Sequence, residues 1–316
     1  MRRQSSGINC LLAVDKPLGL TSHDVVARAR RILSERRVGH AGTLDPAASG
    51  VLVLGVGQAT RLMGMLTLDD KRYEARIAFG TQTTTDDAEG EVVLRAEVPE
   101  RLGEEAVAAA VVASLVGPCA QVPPAYSAIS VDGKRAYDRA RAGEAVELPT
   151  RQVTIHEAEL LGVGEQDGQL VWDCAFHVSK GTYIRSIARD LGQSMGTAAH
   201  LCALRRTASG PITLEDCLTL EGLEQLGSAA ASAALDPVRV LGHPWHELND
   251  YERQAVAVGR QFGCRTVVDA RGRRRPPHEG ERISLVDDGK LMGVWEERNA
   301  RLACVANFPG GIAGVR

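Results

Sequence analysis

Aromatic residues are scarce: Phe, Tyr and Trp make up 4% of the 316 residues. Long apolar runs are missing too. The longest weakly polar stretch, Ala106 to Val116, falls well short of the roughly 18 residues that a membrane-spanning helix needs. There is no surplus of positive charge. Lys plus Arg total 37 against 40 Asp plus Glu, a formal charge of −3, which excludes a globally basic nucleic-acid binder but leaves local basic faces open. Seven cysteines (Cys10, Cys119, Cys174, Cys202, Cys217, Cys264 and Cys304) form no C-x-x-C and no nearby Cys/His quartet, against a disulfide framework or a structural zinc. Arg2 and Arg3 precede an apolar stretch that is interrupted by Asn9 and runs into Asp15-Lys16-Pro17, which does not fit a signal peptide. These absences lead to the expectation of a soluble, cytoplasmic protein with no membrane partner.

What the chain does contain is ample core material. Hydrophobic residues make up 44%, which excludes disorder as the main state, and the length suits roughly two domains. Charge is segregated along the chain. Residues 1–40 carry eight basic and three acidic side chains, residues 81–106 two basic and eight acidic, residues 180–210 five basic and one acidic. After Pro211 the composition turns acidic again, with seven acidic side chains and one basic over residues 211–250. No internal repeat of solenoid period is present.

Periodicity places the elements coarsely. Ile8 to Val14 reads as a buried strand ending at a Lys-Pro-Leu-Gly turn. Thr21 or Ser22 caps a helix to about Leu33, with Val25, Val26, Ala29 and Ile32 on one face and Arg28, Arg30 and Arg31 on the other,. Gly39 to Pro46 reads as a loop, Val51 to Leu54 as a buried strand, Lys71 to Phe79 as a strand, and Thr81 to Gly90 as a polar turn. A helix is expected over Gly103–Val116, and strands over residues 151–163 and 169–178. In the next helix Ile184, Ile187, Ala188 and Leu191 take the i, i+3, i+4, i+7 positions and Gly192 is the expected stop,. Ser228 to Ala234 reads as a linker or loose helix. A small β-like unit follows from about residue 250, with an Asp287-Asp288-Gly289 turn.

The densest segment is Gly39-His40-Ala41-Gly42-Thr43-Leu44-Asp45-Pro46-Ala47-Ala48-Ser49-Gly50-Val51-Leu52. Asp45 sits in a loop with glycines on both sides, where a ligand or another backbone can approach closely. By composition alone, an Asp-Pro is better explained by a turn aspartate bonding nearby amides. A dinucleotide loop at Gly55-Val56-Gly57 fails because Thr60 stands where the third glycine belongs,.

Taken whole, the segment resembles the catalytic motif of the TruB family of tRNA pseudouridine synthases. Asp15-Lys16-Pro17-x-Gly19-x-Thr21-Ser22 is similar to the family's N-terminal motif. Lys71-x-Tyr73 with Phe79-Gly80-x-x-Thr83-x-Thr85-x-Asp87-x-x-Gly90 is similar to its second. Pro123-Pro124-x-Tyr126-Ser127-Ala128 with Gly133-Lys134-x-Ala136-Tyr137 resembles the RNA-gripping insertion. Ser179-x-Gly181-Thr182-Tyr183-Ile184-Arg185-Ser186 and Leu204-Arg205-Arg206-Thr207-x-x-Gly210 complete the order over about residues 10–212. Ala41, Ser49 and Arg61 are small departures, none of which removes a group the chemistry needs.

The resemblance implies the site. Asp45 would be the nucleophile, Arg185 its cationic partner, and Tyr73 the ring stacked on a flipped uracil. Tyr183 would hydrogen-bond near the aspartate and Leu204 would line an apolar wall. His40 would fill the space the base leaves, and Lys16, Gly42 and Thr43 belong to the same binding set. Arg28, Arg31, Lys134, Arg135, Arg139 and Arg141 would contact phosphates around a stem-loop. Isomerising uridine conserves atoms, so no cofactor and no metal is expected. Taken without the motifs, Arg185 is a solvated helix charge, Tyr73 a core-facing strand aromatic and His40 a loop histidine.

The expected fold is α+β: a pseudouridine synthase fold with a central, largely antiparallel mixed sheet flanked by helices, plus a small C-terminal PUA-like β domain. Residues 1–247 would form the catalytic domain, with the RNA-gripping insertion at about 121–150, and residues 248–316 the PUA-like domain. The expected function is isomerisation of the T-loop uridine at position 55 of tRNA by a monomer that needs no guide RNA, with the T stem-loop as its partner. Two rivals stand beside it. One is a guide-RNA-dependent synthase subunit, which usually carries longer basic extensions. The other is a tRNA-binding or folding chaperone.

Overall fold

The computed structural model describes residues 6–67, 70–127, 130–131, 134–135 and 148–316. Packing divides the chain into two units: Met1–Pro46, Gly50–Leu68 and Ser209–Arg316 in the first, Ala47–Ser49 and Asp69–Ala208 in the second. The architecture is α+β, with largely antiparallel strand pairing. Among the described residues no helix is long and apolar enough to cross a membrane.

In the first unit the strand Cys10–Lys16 runs antiparallel to Ala48–Val56, from Cys10 opposite Val56 to Lys16 opposite Gly50. Leu11, Leu12, Val14, Val51, Leu52 and Leu54 are all fully buried, which is why both strands read as continuous apolar runs rather than alternating ones. The helix Ser22–Ile32 begins at a capping box. The Thr21 hydroxyl accepts from Asp24 N at 3.0 Å, and Asp24 accepts from Thr21 N at 2.9 Å,. Its apolar face, Val25, Val26 and Ala29, packs on Leu12, Val14, Leu52 and Leu54 as expected.

The expected loop over Gly39–Pro46 is shorter than its sequence suggests. Val38–Ala41 is a strand, paired antiparallel with His40 opposite Leu54 and Gly39 opposite Gly55. Four residues, one of them glycine, are too short to show a period of two; the ladder on a neighbouring strand makes the strand.

The C-terminal part of this unit is an antiparallel meander of Arg282–Asp287, Lys290–Arg298 and Arg301–Ala313, with Trp245–Glu247 added in parallel. Asp288 (φ 48°) and Gly289 (φ 67°) make the expected hairpin turn, the two left-handed residues matching the strand twist. Leu248, Phe262, Ile283, Leu285 and Trp295 form a core cluster of their own. The stretch expected as a linker or loose helix is a 3-10 helix, Gly227–Ala233.

The second unit is a sheet in the order Ala199–Ser209, Lys71–Phe79, Gln169–Val178, Arg151–Gln166, Gly117–Gln121. The last three junctions are antiparallel. Helices Glu105–Ala113 and Ile184–Ser194 pack on it around Ile77, Phe79, Trp172 and Phe176. Trp172 is fully buried and donates its indole N–H to Leu102 O at 2.9 Å. Ile184, Ile187, Ala188 and Leu191 form the expected buried stripe.

Gly192 does not stop this helix; the helix runs on to Ser194, and the left-handed Gly196 (φ 74°) follows it. A Cβ at Gly192 would lie 2.5 Å from Ala199 N, so glycine is there to let helix and strand approach. The expected turn at Thr81–Gly90 also differs: Thr81–Thr83 pairs with Val92–Arg95 as a small hairpin around it. Within the insertion, Ser130–Val131 pairs with Lys134–Arg135. Arg139 and Arg141 lie outside the described residues.

In the C-terminal part, His246 has an acceptor at each ring nitrogen, Thr266 O at 2.8 Å from Nδ1 and Glu252 Oε2 at 2.9 Å from Nε2. Only the imidazolium donates from both. Hydrogen bonding with Cys264 and with Glu252, set against burial, pushes His246 up to about 9 from 6.5. The raised value adds stability that is complete below about pH 6.5 and lost as pH climbs through 9. The melting-temperature gap between wild type and His246→Gln is therefore expected to be largest at pH 6 and to shrink by pH 10. A gap that stays constant across this range contradicts the paired imidazolium.

Candidate active site

The candidate residues fall into two sets, one per unit. In the first unit, Asp45 occupies the loop between Val38–Ala41 and Ala48–Val56. It is half-buried, and the backbone on each side of it is held. Before it, Leu44 N donates to the buried Ser22 Oγ at 2.8 Å, and Ser22 Oγ donates back to Leu44 O at 3.0 Å. After it, Gly19 N donates to Pro46 O at 2.9 Å. Gly42 enters the loop at φ 79°, a conformation that costs glycine nothing.

Lys16 is fully buried, and its Nζ donates to Pro17 O at 2.9 Å and Leu20 O at 2.6 Å. A buried ammonium is tolerated only when its protons are taken up. Here they tie together the turn that carries Gly19, so Lys16 supports the Asp45 loop through Gly19 and Ser22. Thr43 is exposed and His40 half-buried, its ring edge-to-face with His23 at 5.4 Å. On the helix, Arg31 is exposed and Arg28 half-buried, whereas the neighbouring Arg30 donates to Val38 O at 2.9 Å.

In the second unit the helix Ile184–Ser194 organises the set. Gln121 clamps Tyr183 at its start, accepting from Tyr183 N at 2.8 Å and donating to Tyr183 O at 3.1 Å. Arg185, 6% exposed, donates to Thr85 O and to Tyr126 O, both at 3.0 Å, and lies 3.3 Å from Asp87 Oδ2. One turn on, Arg189 meets Asp86 at 2.9 Å and Val122 O at 2.9 Å, and the fully buried Ser186 also donates to Val122 O. Arg185 and Arg189 thus take one carboxylate each from the adjacent Asp86 and Asp87. Burial holds the Asp86 carboxyl above its usual range, and the Arg189 guanidinium beside it opposes that shift,.

Tyr73 is half-buried opposite Phe176, and it borders the same core cluster as Leu204. Lys134 and Arg135 form one strand of the insertion hairpin. Asp86, Arg189 and Gln121 were not among the expected site residues. Asp87 stood inside a motif without a role, and Ser22 was expected only as an alternative helix cap, the place Thr21 takes. Among the described residues, no group of three or more His, Cys, Asp or Glu side chains is placed to hold a metal ion.

Residues 30–184, which include the motif loop, match the N-terminal domain of the TruB family pseudouridylate synthases, and residues 185–239 match the tRNA pseudouridylate synthase B C-terminal domain. The chain belongs to the TruB family. Relatives named tRNA pseudouridine synthase B include one from Thermobifida fusca, 46% identical over 95% of this chain and 98% of its own length. Another, from Corynebacterium efficiens, is 43% identical over 96% of both chains. Solved structures with the same fold include an H/ACA ribonucleoprotein bound to a substrate RNA containing 2′-deoxyuridine, with a TM-score of 0.68 and 22% identity over 96% of this chain and 85% of that one. An archaeal box H/ACA complex aligns with a TM-score of 0.65 and 24% identity over 94% of this chain and 85% of that one. TruB-family enzymes are pseudouridylate synthases, hence isomerases, and this chain is one.

The Ser22 clamp can be tested directly. Ser22→Ala leaves the Leu44 amide and carbonyl without that partner in a buried setting, at about 1–3 kcal/mol of stability. Displacing the loop by a fraction of an ångström is expected to lower turnover roughly 10- to 100-fold. Single-turnover pseudouridine formation with parallel RNA filter binding checks this. A rate loss matched by an equal affinity loss would move Ser22 from loop positioning to RNA docking.

Proposed function

We propose that this chain isomerises uridine in tRNA, at position 55 of the T loop, by flipping the base and using Asp45 as its nucleophile. The observation that carries the proposal is the Asp45 loop, whose flanking residues Leu44 and Pro46 are both hydrogen-bonded in place while the carboxylate-bearing residue stays half-buried. An aspartate that only made a turn would need no such support on both sides. The relatives named tRNA pseudouridine synthase B support tRNA as the substrate.

In this reading Arg185 is the cation that keeps the nucleophile ionised and oriented, Tyr73 stacks on the extruded uracil, and Tyr183 and Leu204 line its pocket. His40, Gly42 and Thr43 serve the nucleotides around it. Extruding a stacked base costs a few kcal/mol, and Arg28, Arg31, Lys134, Arg135, Arg139 and Arg141 would offset that with phosphate contacts. Residues 248–316 are read as the PUA-like domain. The protein would act as a monomer, without guide RNA and without a cofactor.

The deciding experiment is incubation with an unmodified tRNA transcript, then carbodiimide primer extension to map pseudouridine. A product at position 55, formed also on the isolated T stem-loop, is the expected result; strict dependence on added guide RNA would overturn it. Asp45→Asn is expected to cut turnover by roughly 10⁴-fold or more, the scale on which losing a nucleophile acts, with tRNA affinity nearly unchanged. Residual single-turnover product near the wild-type level would remove Asp45 from the chemistry.

Arg185→Lys keeps the charge and loses the planar fork; Arg185→Met loses both. The expected order of tritium release from 5-tritiated uridine tRNA is wild type, then Lys, then Met. The Met variant should also move the acidic limb of the pH–rate profile upward, because desolvation then acts on the aspartate without an opposing cation. Equal rates in all three would reduce Arg185 to a structural tie for Thr85, Asp87 and Tyr126.

A further inference from the structure

We propose that Cys264 is a covalent modification site, a thiol that the adjacent His246–Glu252 pair makes nucleophilic toward peroxide and other soft electrophiles. The three side chains lie in the C-terminal part of the first unit, and no step of the pseudouridine chemistry uses them. Cys264 Sγ and His246 Nδ1 converge on one atom, Thr266 O, at 3.4 and 2.8 Å. On its other side His246 is held by Glu252 Oε2 at 2.9 Å. Glu252 is itself fixed, since its carboxylate also accepts from Asn249 N at 3.0 Å in the capping box of the helix Asp250–Ala257. A nucleophile beside a histidine that a carboxylate orients is the arrangement that activates thiols.

The charge states agree with the geometry. With an acceptor at each nitrogen His246 is an imidazolium, and Cys264 is the first of the neighbours that raise it. Cys264 donates to Thr266 O, the same atom to which the imidazolium donates, so a cation stands beside the sulfur,. Access is partial, for Cys264 is half-buried, whereas Cys10 and Cys174 are buried and burial pushes both thiols up to about 12.

With peroxide, the thiolate sulfur attacks one oxygen. The S–O bond forms as the O–O bond breaks, and the departing hydroxide takes up the proton released by the thiol and leaves as water. Sulfur is oxidised by two electrons to the sulfenic acid, and the peroxide is reduced to water.

The test is time-resolved alkylation of the folded full chain with limiting iodoacetamide at pH 7.5, each cysteine peptide being quantified by mass spectrometry. Cys304 is the comparator because it is the more exposed thiol, so accessibility alone predicts that it reacts first. Cys264 is expected to react on the order of tenfold faster than Cys304, although it is the less exposed thiol,. It should also be the first to give a dimedone adduct after micromolar peroxide. His246→Gln should bring Cys264 to the Cys304 rate or below, while Cys10 and Cys174 stay unlabelled and so report an intact fold. A wild-type Cys264 that reacts no faster than Cys304 overturns the proposal, whatever the variant does. An unchanged Cys264 rate in a folded His246→Gln protein overturns it as well.

Discussion

The backbone hydrogen bonds on either side of Asp45 are the constraint from which the first unit's design follows. The residues on either side of Asp45 are held by partners from outside the loop. Leu44 is held by the first turn of the helix Ser22–Ile32 and Pro46 by the turn that precedes it. That turn in turn depends on Lys16, an ammonium buried between the carbonyls of Pro17 and Leu20. The helix keeps its place because Val25, Val26 and Ala29 pack on the two central strands. The chain of support runs from hydrophobic packing, through a capped helix, to three backbone hydrogen bonds at the loop.

The second unit solves a related problem with charge. The helix Ile184–Ser194 lays one stripe against the sheet and extends Arg185, Ser186 and Arg189 from its first two turns to the segments at 85–87 and 122–126. Each of these contacts gives a donor to a carbonyl or carboxylate oxygen, worth on the order of 1 kcal/mol between neutral groups and more where one is charged. Two arginines four residues apart fall on one face of a helix, which lets them meet two consecutive aspartates. Ordering Arg185 is thus inseparable from ordering the Thr85–Asp87 segment, and a change in either is felt in the other.

The fold shared with the H/ACA structures, at 22–24% identity, leaves open which RNA each protein serves. The basic candidates named from the sequence lie on the helix Ser22–Ile32 and at residues 134–141.

The sequence by itself determined the family and most long elements, and it singled out Asp45 as the candidate nucleophile. Motifs are local strings, and apolar periodicity over seven or more residues survives without knowledge of neighbours, as in Cys10–Lys16, Ser22–Ile32 and Ile184–Ser194. Features that depend on what lies opposite were not legible. Val38–Ala41 is a strand only because residues 53–56 offer it a ladder, and the glycine at 192 marks the close approach of Ala199 rather than a helix end. The ties of Gln121 to Tyr183, Arg189 to Asp86 and Cys264 to Thr266 beside His246 join residues 62, 103 and up to 20 positions apart. Hydrogen bonds and ion pairs act over about 3 Å of space, and only the tertiary structure decides which distant residues come within that reach.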